Sequence, residues 1–121
     1  MAKNVSIEHL GSVIKKNVEA ELELEYKAYA FDLFSEIVKR TPVDTGRARS
    51  NWTIDINSPD YSTTDSTTAA EPSNINTEGF PDVFISSGLS YVSELDKGRS
   101  KQAPTGIIEP SIVAVDVKRG R

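Results

Sequence analysis

A chain of 121 residues fits one domain, since folded domains usually run to about 100 to 150 residues and two cores would not fit. With 37% hydrophobic residues and a mean hydropathy of -0.38 it reads as a soluble protein with a modest core; no apolar run approaches the roughly 20 residues that span a bilayer, so no membrane partner is expected. The lack of cysteine excludes disulfides and thiolate metal sites, and a net charge of -4 argues against general affinity for nucleic acid, which rests on many Lys and Arg contacts to phosphates.

The N-terminal residues lead into an amphipathic pattern rather than a signal-peptide core, so the chain is expected to stay where it is made. From Ser6 to Arg40 apolar residues recur at Leu10, Val13, Ile14, Val18, Leu22, Tyr26, Tyr29, Ala30, Leu33, Ile37 and Val38, the three- and four-residue steps of a helix with one buried face. Gly11 weakens such a helix by roughly 1 kcal/mol, so a break there, or a start at Ser12 as N-cap, is allowed for. Pro42 ends the ladder, and Lys39 and Arg40 place positive charge in the last turn, where it suits the helix dipole. A helix of about 45 to 50 Å is longer than a domain of this size can cover, so part of it should meet a neighbouring subunit.

Pro42 to Asn51 reads as a turn in which Asp44 or Thr45 caps a short helical segment. Trp52, Ile54 and Ile56 alternate with Thr53 and Asp55, the period of a half-buried strand. Residues 57–79 are rich in Ser, Thr, Asp, Asn and Pro and predict a long, mobile, acidic loop. A second strand is centred on Val83-Phe84-Ile85. Gly88 then turns the chain into a short helix carrying Leu89, Tyr91, Val92 and Leu95, with Gly98 at its C-terminal cap. For residues 107–117 β-branched side chains favour a strand, whereas Pro110 at a first helical position would start a helix; the reading leans to a strand. The expected fold class is α+β, a long N-terminal helix packed on a small, mainly antiparallel sheet, with a short helix near residues 90–97.

Charge is unevenly spread. Between Arg49 and Lys97 there is no Lys or Arg, while Asp55, Asp60, Asp65, Glu71, Glu78, Asp82, Glu94 and Asp96 fall in that interval. Two short basic clusters flank it, Arg47 with Arg49 and Lys97 with Arg99 and Lys101, suited to an adjacent subunit's acidic surface or to DNA phosphates.

Patterns that carry catalysis are thin. Asp44-Thr45-Gly46 matches the triplet of aspartic proteases, which need two such carboxylates sharing a proton and hence a dimer of so short a chain. Here a Pro-terminated helix precedes the triplet and Arg47 follows it, so a capped helix-to-strand turn explains it better. With His9 the only histidine, multi-imidazole metal sites and Ser-His-Asp arrangements cannot form within one subunit, and His9 reads as an exposed helix residue. Glu21, Glu23 and Glu25 point to different sides of a helix and read as a solvated face. Asn51-Trp52-Thr53 fits the glycosylation pattern but lacks a secretory context. No catalytic residue, cofactor or metal ligand is assigned.

Two stretches carry more specific information, Arg40-Thr41-Pro42-Val43-Asp44-Thr45-Gly46-Arg47-Ala48-Arg49-Ser50-Asn51-Trp52 and the block from Ile85 to Gly106 that contains Tyr91, Glu94, Gly98 and Gln102-Ala103-Pro104. In order and spacing they resemble the tail-completion or head-tail joining family of long-tailed phages, the minor tail protein Z-like group. Residues 57–79 have no counterpart in that pattern. The resemblance implies a non-enzymatic virion protein of the neck or head-proximal tail, assembled in the host cytoplasm as a homo-oligomeric, hexameric ring. Its neighbours would be the tail terminator, tail tube and neck proteins, with DNA passing without specific binding. A tail terminator or neck adaptor is the alternative within the structural class, and a protease-like dimer the alternative outside it. The subunit-interface residues expected from the two blocks are Pro42, Asp44, Thr45, Gly46, Arg47, Arg49, Trp52, Tyr91, Glu94, Gly98, Gln102 and Pro104. The ring is expected to pack through the long helix and the turn from Asp44 to Trp52, with acidic loops facing the DNA passage or the next ring.

Overall fold

The computed structural model describes residues 7–43, 46–98 and 100–120, with side chains from Lys15 onward. These residues form helices α1 (Ile7–Arg40), α2 (Arg47–Ser50), α3 (Val92–Asp96) and α4 (Ile108–Lys118), and strands β1 (Trp52–Ile56) and β2 (Val83–Ser87). The fold is a small α+β arrangement of one long helix, short helices and a two-stranded antiparallel sheet.

α1 spans 34 residues and so extends about 51 Å. It runs unbroken through Gly11, contrary to the interruption that glycine suggested. A local cost of roughly 1 kcal/mol is offset by the good helix formers that follow, Lys15, Lys16, Glu19, Ala20 and Glu21. Its C-terminal half supplies Ala30, Phe34, Ile37 and Val38 to the core, where they meet Trp52 and Ile54 of β1, Ile75, Leu89, Val92, Ala103 and Ile107. Its N-terminal half behaves differently: residues 15–22 are all exposed, Val18 by 48% and Leu22 by 52%. Among the described residues no helix is long and apolar enough to cross a membrane.

The strands pair with Ile54 opposite Ile85 and Trp52 opposite Ser87. Trp52 and Ile54 are buried while Thr53 and Asp55 are less so, as the two-residue period requires. The connection between the strands, expected to be mobile, is tied down repeatedly. Asn51 exchanges two hydrogen bonds with the Thr64 backbone (3.0 and 2.8 Å), and the Ala70 amide donates to Arg49 O (2.9 Å). Ser73 Oγ donates to Ile54 O (2.9 Å), Thr77 Oγ1 to Glu23 O (3.0 Å) and Tyr26 Oη to Pro81 O (2.6 Å). Ile75 is buried in the core, which a solvated loop would not allow. Isolated apolar residues such as Ile75 leave no periodicity to read in the sequence.

The leaning towards a strand at residues 107–117 is corrected: α4 is a helix, and Pro110 sits in its first turn, where a missing N–H costs nothing. Ile107, Ser111 and Val115 are fully buried at four-residue spacing, a helical face that the β-branched composition hides. α4 runs antiparallel to the second half of α1. Tyr29 Oη donates to Asp116 (2.7 Å), and Arg119 reaches Asp32 (2.7 Å) and Glu25 (3.0 Å).

Candidate functional site

The two sequence blocks meet where α1 ends. α1 leaves its last carbonyls without helical partners, as every helix does. Arg49, on α2, supplies donors to them: its Nη2 donates to Lys39 O (2.6 Å) and its Nε to Thr41 O (2.7 Å). Thr41 is wholly buried; its hydroxyl donates to Ile37 O (2.7 Å) and accepts from Trp52 Nε1 (2.9 Å). This line of bonds joins α1, α2 and β1 at one point, and the indole N–H that would otherwise be orphaned in the core is satisfied there.

The second block closes over the same corner. The Val43 amide donates to Gln102 Oε1 (3.0 Å), and a shallow cleft between Lys39–Pro42, Arg49 and Gln102–Gly106 marks the seam. Upstream, Gly98 ends α3 with φ +82°, and a Cβ there would stand 2.5 Å from Pro104 O, so a side chain is excluded by backbone as well as by conformation. Asp96, the last residue of α3, accepts from the amides of Ile107 (2.9 Å) and Ile108 (2.8 Å) through Oδ1. It thereby caps α4 from a different element, where the N-cap residue Ile107 has no side-chain cap of its own.

Gly46 occupies the N-cap position of α2 with φ +78° and without a side-chain cap bond; its Cβ would lie 2.7 Å from Thr67 O. The expected caps, Asp44 and Thr45, lie outside the described residues, as do Arg99 and the side chain of His9. Asn51, absent from the expected interface set, is 2% exposed and holds Thr64 and Arg47 O. Nothing in its spacing distinguished it from an ordinary turn asparagine. The same is true of Thr41 and Asp96, whose partners are distant in sequence.

The expected interface residues therefore separate physically. Trp52 and Pro42 are buried within the subunit, and Arg49 is directed at main-chain carbonyls; their place is inside the joint rather than on a contact surface. Arg47 lies 3.5 Å from Asp65 and 3.4 Å from Thr64 O, towards the strand connection. Tyr91, Glu94, Gln102 and Pro104 present surface. Glu94 pairs with Lys97 at 3.5 Å. Of the three glutamates near the middle of α1, Glu23 accepts from the Gly79 amide and Glu25 from Arg119. On the acidic connection, Asp60 is held below its ordinary value of 3.8 by hydrogen bonds from the Ser62 amide and hydroxyl. Chemically, the polar groups of the joint are directed at one another and at the main chain. No family model matches this chain, and neither curated proteins nor solved structures give a match.

Proposed function

We propose that the chain is a non-enzymatic structural subunit of a tailed-phage virion, one that completes the head-proximal end of the tail and enables head-tail joining as a homo-oligomeric ring. The observation that supports this reading most is the convergence of the two motif blocks on one joint. Thr41, Arg49 and Trp52 from the first meet Gln102 from the second through the Val43 amide, and their bonds serve to hold elements in place. Residues that build a rigid corner suit a part that must fit between neighbours. A helix that outruns its own domain, with Val18 and Leu22 exposed, adds to it, because a solvated apolar stripe is stabilised by burial against another chain. In the proposed neck, tail terminator, tail tube and neck proteins are the neighbours, six copies match the tail symmetry that the resemblance implies, and the acidic connections keep passing DNA from adhering.

The test is location. A small epitope placed after Gly120, at an exposed position, and gold-labelled on purified particles should mark the head-tail junction. Label absent from particles, or spread along the tail tube, overturns the reading.

A further inference from the structure

Among the exposed apolar side chains of the described residues, two pairs match in spacing. Val18 and Leu22 stand four residues apart on the projecting half of α1, 48% and 52% exposed. Val113 and Val117 stand four residues apart on the side of α4 turned away from buried Val115, 57% and 71% exposed. Their flanking charges are opposite in order. On α1, Lys15 and Lys16 precede the pair and Glu21 and Glu23 flank Leu22; on α4, Glu109 precedes the pair, Lys118 follows Val117, and Asp116 accepts from Tyr29 (2.7 Å).

We propose that the projecting end of α1 in one copy of this chain lies along the outer face of α4 in a second copy, the two helices running in the same direction. In that register Lys15 and Lys16 lie within a turn of Glu109, Val18 meets Val113, Leu22 meets Val117 and Glu23 stands opposite Lys118. The reverse direction would set lysine against lysine and glutamate against glutamate. Charge order thus selects both the occupant and its orientation, while apolar burial supplies the attraction. The shallow groove beside Val113, walled by Arg40, Thr105, Glu109 and Pro110, gives the incoming helix a seat. Because the surfaces are unlike, each copy keeps one of each for a further neighbour, the arrangement a ring needs. The inference rests on the reading above only in taking the partner to be another copy.

The chain has no cysteine, so single cysteines report the contact directly. Val18→Cys and Val113→Cys are made separately, each checked by thermal melting against the parent, then mixed and oxidised mildly. The expected result is a shift from the 13.3 kDa chain to a band of twice that mass in the mixture, with none from Val18→Cys alone. Adding Glu109→Lys to the Val113→Cys chain should remove the band, and adding Lys15→Glu and Lys16→Glu to the other chain should restore it. Linking of Val18→Cys to itself as readily as in the mixture overturns the proposal, because the helix ends would then pair with each other. So does a mixture that links no better, in solution or within purified particles, than Val18→Cys with Tyr61→Cys. A linked pair in a chain missing from virions would refute the phage reading alone; an unlinked pair in a chain located at the junction would refute this contact alone.

Discussion

Thr41 is the residue on which the joint turns, because one buried hydroxyl both donates to Ile37 O and accepts the Trp52 indole N–H. Thr41→Val keeps the shape and removes both bonds, leaving a buried N–H unpaired; urea unfolding should show a loss of about 1 to 3 kcal/mol. Arg49→Lys keeps the charge but not the planar fork that reaches two carbonyls, and should cost about 1 kcal/mol, with faster amide exchange confined to the last turn of α1. Asp60 makes a smaller, pH-dependent statement. Its folded pKa is depressed below 3.8, so the bonds from Ser62 stabilise the connection above that value and are lost as pH falls through the lower, folded one. Proton titration by NMR should place Asp60 below a reference aspartate, and Ser62→Pro, which removes the amide donor and the hydroxyl, should bring it back towards 3.8.

At the scale of elements, Asp96 explains why α4 is a helix although its composition favours a strand. Its carboxylate receives two amides at the start of a helix whose own cap residue, Ile107, offers none. Asp96→Ala should therefore cost about 1 kcal/mol and reduce helix content by fraying α4 from its N-terminus, seen by circular dichroism. The cap is a contact between residues eleven apart, and no local window contains it. The same limit governs the rest. The three- and four-residue steps of α1, the alternation of Trp52 to Ile56 and the glycine after α3 are local signals, and they were legible. The anchoring of the strand connection by Asn51, Ser73 and Thr77, and the meeting of Thr41 with Trp52, depend on the chain having already folded. For the site, the two blocks singled out in the sequence meet at one corner through Val43 and Gln102. Sequence order did not separate Trp52 and Pro42, which lie inside, from Tyr91, Gln102 and Pro104, which face outward.

At the scale of the whole molecule, α1 extends past the core: its residues 15–22 are exposed, and Thr77 meets it at Glu23 O. Core residues come from the other half of α1, so Val18→Ser with Leu22→Ser should leave the melting temperature nearly unchanged while weakening the proposed self-association in sedimentation. Reversing Asp60, Asp65 and Glu71 to lysine tests the electrostatic role proposed for the strand connection. DNA affinity should rise at low salt and infectivity should fall, and no change in either would remove that role. Head-tail joining is what the proposed ring supplies to a particle. Electron microscopy of lysates from phage lacking it should show full heads and finished tails accumulating apart; joined, infectious virions in their usual number would contradict it.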